Sequence, residues 1–69
     1  SVATKSDREF VDRVVALVHA RVLPRNLVDS TFLWARQQAF YRGGTAAVRP
    51  MIYFRPALEL RAKRLGIRI

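Results

Sequence analysis

Apolar positions in the first third of the chain fall on helical spacing. Val11, Val15, Val18 and Val22 make one row, Phe10, Val14 and Leu17 an adjacent one, and Arg8, Glu9, Asp12, Arg13 and His19 take the opposite side. A stripe of this period predicts an amphipathic helix over about residues 7–22. Ser6-Asp7-Arg8-Glu9 matches the S-x-x-E capping box, in which Ser6 and Glu9 satisfy each other's free backbone N–H groups. Glu9–Arg13 and Arg8–Asp12 add i,i+4 charge pairs of about 0.3 kcal/mol each. The density of valine lowers helix propensity and leaves a strand over Val14–Val18 as the alternative.

Leu23-Pro24-Arg25-Asn26 reads as a turn, because Pro24 disfavours helix at Leu23 and Asn26 is a good cap for a helix beginning at Leu27. The next pattern predicts that helix from about Leu27 to Arg42. Val28, Phe32, Ala35 and Ala39 form its apolar row, with Leu33 and Phe40 beside it; Arg36, Gln37, Gln38 and Arg42 form its polar side. Gly43-Gly44 ends it. Joined by so short a turn, the two helices are expected to lie antiparallel and to bury Phe10, Val14, Phe32 and Leu33 against one another. Trp34, beside Leu33, reads as a packing residue.

Beyond the glycines the helical pattern lapses. Residues 45–55 read as extended or irregular, with Met51-Ile52-Tyr53-Phe54 as a short strand or an apolar tether. Pro56 suits the first position of a last short helix ending near Leu65, with Gly66 as its stop. The expected fold is therefore all-α. A two-helix antiparallel hairpin (1–44) is followed by a basic arm (45–69) made of an extended segment and a short C-terminal helix.

Charge changes the picture more than composition does. The chain has 69 residues, 13 Lys+Arg, 5 Asp+Glu and a net charge of +8. Residues 1–30 hold five basic against four acidic side chains; residues 31–69 hold eight against Glu59 alone. The first part reads as a folding unit and the second as a surface for a polyanion. A chain below roughly 70–80 residues usually needs disulfides, a metal or a partner. Cysteine is absent, which excludes disulfides and thiolate zinc sites. No metal or other cofactor is expected from one His and five scattered carboxylates, so a partner remains. The uncharged apolar run Val14–Ala20 is flanked by Arg13 and Arg21 and is too short to span a bilayer. A start at Ser1 rather than Met is what a processed or trimmed product would show.

Nothing in the sequence points to catalysis. His19 is the sole histidine, Ser1, Ser6 and Ser30 have no base pattern around them, and Gly43-Gly44 lacks the lysine and spacing of a phosphate loop. The acids near His19 read as a solvated helix face. What the second half offers is arginine interleaved with aromatics: Arg36, Phe40, Tyr41, Arg42, Arg49, Tyr53, Phe54, Arg55. Guanidinium grips phosphate and stacks on bases, and aromatic rings stack on exposed bases. The candidate RNA contacts are Arg36, Tyr41, Arg42, Arg49, Arg55, Arg61, Lys63 and Arg64. Phe40 and Phe54 read as core or interface residues.

Over Arg36-Gln37-Gln38-Ala39-Phe40-Tyr41-Arg42-Gly43-Gly44-Thr45 the chain resembles the twenty-first protein family of the bacterial-type small ribosomal subunit, organellar forms included. In that family a helical hairpin ends in a basic stretch, an aromatic pair, a short break with Ser or Thr, and a further basic helix. Arg36, Phe40-Tyr41 and Thr45 stand at those places, and Arg21-Val22-Leu23-Pro24 stands where the family turns. The chain departs from the pattern in having Gly43-Gly44 where the family has Lys-Pro, Gln37 and Gln38 in place of two cations, and the apolar Met51–Phe54. The resemblance implies a non-catalytic, structural role on ribosomal RNA beside neighbouring ribosomal proteins. The implied compartment is the mitochondrial matrix, or the cytoplasm of a bacterium.

Two other readings stand beside it. The Val-rich helix and Met51–Phe54 also suit a small accessory subunit of a larger assembly, such as a membrane-associated respiratory complex. Its arginines would then meet acidic protein or anionic lipid headgroups. A helix–turn–helix reading DNA through Arg36, Gln37 and Gln38 is the weaker third, since the turn holds Pro24 and the most basic part of the chain lies outside the hairpin.

Overall fold

A computed structural model describes residues 4–43 and 49–69, which form α1 (Lys5–His19), α2 (Arg25–Gly43) and α3 (Met51–Arg64). There is no strand among the described residues. The chain is all-α as expected, and the strand alternative over Val14–Val18 gives way to α1.

Both ends of α1 differ from the expected ones. Its cap is Thr4, whose Oγ1 accepts the Asp7 N–H at 3.1 Å, rather than Ser6. Asp7 lies in the first turn, where the positive end of the helix dipole favours a carboxylate. Asp7 also faces inward, one turn before Phe10 on the buried stripe of α1. At the other end α1 stops at His19, before Val22, because Arg21 takes a left-handed conformation at φ 61°. The Val22 and Leu23 N–H groups both donate to the Leu17 carbonyl, at 3.0 and 3.1 Å. This is the six-to-one closure that ends many helices, usually with glycine at the left-handed position. Its effect is to turn the chain so that Leu23 enters the core.

α2 begins at Arg25. The Pro24 carbonyl accepts the Val28 N–H at 3.4 Å, so Pro24 rather than Asn26 precedes the first turn. The buried ridge of α2 is Thr31, Ala35 and Ala39, at i, i+4 and i+8, with Leu27 and Val28 half-buried beside it. Leu33 lies on the exposed side, and Phe32 is half-exposed at the ridge's edge. The expected burial of Leu33 is thus corrected: the inward face is rotated toward residues with small side chains. Thr31 satisfies itself there, donating its Oγ1–H to the Leu27 carbonyl at 2.7 Å.

The larger correction concerns α3. Met51-Ile52-Tyr53-Phe54 is helical, neither strand nor tether, and Pro56 lies within the helix instead of opening it. The opening proline is Pro50, which has no N–H to lose at a helix start. Phe54, Leu58 and Ala62 recur every four residues and are all buried, so burial of this stripe offsets the hydrogen bond that Pro56 removes. Residues 45–48 of the expected extended segment lie outside the described residues. Gly66, at φ 77°, closes the helix as its sequence position predicts, with Ile67 N–H on the Ala62 carbonyl at 2.9 Å.

Phe54 is the hub of the core. Its ring meets Phe10 of α1 edge-on at 6.2 Å and Phe32 of α2 at 5.5 Å between centroids. Phe10 and Phe32 therefore meet through α3 rather than directly across a two-helix hairpin. α2 and α3 make the most extensive contact among the helices. Ala35 and Ala62, both in the core, suit that contact, since small side chains let packed helices approach.

Candidate nucleic-acid interface

The cations expected to meet RNA divide into two groups. Arg49, Arg55 and Arg61 are engaged within the molecule. Arg49, just before α3, donates to Asp7 at 3.1 Å, and Arg55 approaches the other Asp7 oxygen at 3.7 Å. Arg55 also donates to Ser6 Oγ at 2.9 Å, and its guanidinium lies 4.8 Å from the centroid of the Phe10 ring. Asp7 is nearly buried, so this ion pair joins the start of α1 to the start of α3. Arg61 donates to Thr31 Oγ1 at 2.9 Å and sits over the Trp34 ring at 5.6 Å, clasping α3 to α2. For Arg55 and Arg61, one guanidinium nitrogen bonds while the planar group lies on an aromatic face.

Arg36, Lys63 and Arg64 are the second group. All are exposed, as is Arg68, and no ion pair among the described residues engages them. Arg36 lies on α2; Lys63 and Arg64 lie in the last turn of α3, where the helix dipole favours cations. Arg42 belongs to α2 by its backbone, and its side chain lies outside the described set.

The outer face of α2 carries the aromatic part of the site. Leu33, Arg36, Gln37, Phe40 and Tyr41 line one shallow groove of about 360 Å³. Their spacing of i, i+3, i+4, i+7 and i+8 places them on one side of the helix. Phe40 is 69% exposed and Tyr41 76%, so of the two alternatives for Phe40, core or interface, the core one falls away. Phe54, read the same way, is buried. The Phe40 and Tyr41 rings stand edge to face, 5.6 Å apart at 83°, and so form a corner open to solvent. The nearest acid along this face, Asp29, is one turn beyond Leu33 and pairs with Arg25 at 3.8 Å.

Sequence reasoning missed Asp7 and Thr31. Asp7 stands three residues before Phe10 on the buried stripe of α1, but a carboxylate gives no hydrophobic signal there. Thr31 is a polar letter on an apolar ridge, and only its bond to Arg61 marks it. A second groove, of about 220 Å³, lies where the three helices meet and is lined by apolar residues, Val11, Val15, Val28, Phe32 and Met51 among them, and by Asp29. His19 is exposed in the last turn of α1. Among the described residues no group of three His, Asp or Glu is placed to hold a metal ion, and no helix is long and apolar enough to cross a membrane. Compared with known proteins, the chain matches no family model, no curated protein and no solved structure.

Proposed function

We propose that this chain is a structural, non-catalytic RNA-binding component of a ribonucleoprotein, in its most specific form a small ribosomal subunit protein that neutralises and orders ribosomal RNA. The observation that carries this reading is the exposed set Arg36, Lys63, Arg64 and Arg68, outside every ion pair among the described residues of a chain with net charge +8. Such a surface neutralises phosphates and releases their counterions. The resemblance of Arg36–Thr45 to the small-subunit family supports the same reading, and with it a site in the mitochondrial matrix or a bacterial cytoplasm. Arg49, Arg55 and Arg61 serve it indirectly, by holding the three helices together so that the surface cations keep fixed positions.

The native protein is expected to sediment with a ribonucleoprotein particle and to be released by ribonuclease. Sedimentation with an assembly that ribonuclease leaves intact would overturn this reading. It would favour a second one, an accessory subunit of a protein complex, which draws support from the apolar groove of Val11, Val15, Val28 and Phe32.

A further inference from the structure

The geometry points to the outer face of α2 as a site for an unpaired nucleotide, whose base stacks in the Phe40–Tyr41 corner while Arg36 takes its phosphate and Gln37 meets the base edge. The inference rests on the RNA reading above and narrows it from RNA in general to single-stranded RNA at this face. Three observations support it. Two large aromatic side chains are left out of the core on adjacent residues, and their rings meet at 83°. A base laid flat on one ring therefore has its edge against the other. The groove beside them supplies an apolar floor, Leu33, and two polar groups of different kinds: a guanidinium and an amide. That set matches what recognises a splayed base, with aromatic stacking, hydrogen bonding at a base edge and a cation for the backbone. Finally, the face carries Arg36, and its nearest acid, Asp29, lies one turn away with Arg25 3.8 Å from its carboxylate. In a duplex the bases are stacked on one another, and their faces cannot reach a side chain without unpairing.

The test compares three labelled oligonucleotides of equal length on the full chain: a single-stranded RNA, the same strand annealed to its complement, and an abasic strand that keeps the phosphates. Binding of the single strand is expected to be about tenfold tighter than that of the abasic strand, the lower part of the range for base–aromatic stacking. The variant carrying Phe40→Ala and Tyr41→Ala should lose that advantage and bind duplex as before. Both rings are exposed, so helicity should be unchanged. In the unaltered protein, the ring protons of Phe40 and Tyr41 should shift upfield as single-stranded RNA is added. Equal, salt-sensitive affinity for the abasic and ordinary strands, or unmoved ring protons, would overturn the stacking site and leave the RNA reading standing. No binding to any of the three at low salt would overturn both.

Discussion

Two residues in left-handed backbone show how a single side chain tunes this small fold. Arg21 at φ 61° and Gly66 at φ 77° occupy equivalent places after α1 and α3. That conformation costs an L-residue roughly 1 kcal/mol and costs glycine little. Arg21→Gly is therefore expected to stabilise the chain and Gly66→Ala to destabilise it, each by about 1 kcal/mol, read from midpoints of urea unfolding. A Cβ on Gly66 meets nothing within 4 Å, so the loss would be one of backbone strain alone. The arginines divide in a similar experiment. Arg49→Ala removes the closest partner of the nearly buried Asp7 carboxylate and is expected to cost about 1–2 kcal/mol, between a surface pair and a buried one. For a chain of this size that lowers the melting temperature by at least about 4 °C. Arg36→Ala, on the open face of α2, should leave the melting temperature unchanged. Equal effects from the two would mean that the Asp7 pair does not hold α1 to α3.

At the level of elements, the question is why α3 forms where its sequence looks broken. Interior proline costs a helix about 3 kcal/mol, and Pro56 removes the donor that would have met the Ile52 carbonyl. Phe54, Leu58 and Ala62 offset that cost only because α1 and α2 supply surfaces for them to be buried against. Pro56→Ala is accordingly expected to stabilise the protein by about 1–2 kcal/mol after allowance for the freer unfolded chain, and to raise its helicity in circular dichroism. Were Pro56 the first residue of the helix, the same change would be neutral or harmful, so the sign of the effect locates the start of α3. α1 and α2 were legible because their patterns are long and uninterrupted. The inward face of α2 was not: Ala35 and Ala39 are weak hydrophobic signals beside Leu33 and Phe40, and close helix contact favours the smaller set.

Across the molecule as a whole, the described chain is elongated, with extents of 35 × 23 × 15 Å. Three of its eight buried apolar residues are alanines. A core this thin leaves much apolar surface outside, Leu33, Ile52, Leu60 and Leu65 among it. Its net charge acts over the same distances. Affinity for single-stranded RNA should fall linearly in log–log coordinates as salt rises. The double substitution Lys63→Ala with Arg64→Ala should flatten the slope by about 1.4, or about 0.7 for each phosphate no longer neutralised. A slope unchanged by that substitution would remove the end of α3 from the RNA surface.

The helical class, the stop at Gly66, the burial of Phe10 and Val14, and the concentration of cations after residue 30 are all written in the order of the residues. They depend on neighbours within a turn or two along the chain, or on composition. Other features exist only once the three helices have met: that Met51–Phe54 is helix, that Leu33 is exposed, and that Arg49, Arg55 and Arg61 face inward while Arg36, Phe40 and Tyr41 face solvent. The reason is physical. A carboxylate, a threonine hydroxyl and two aromatic rings brought together from distant parts of the chain settle where a guanidinium points, and no local pattern records that meeting.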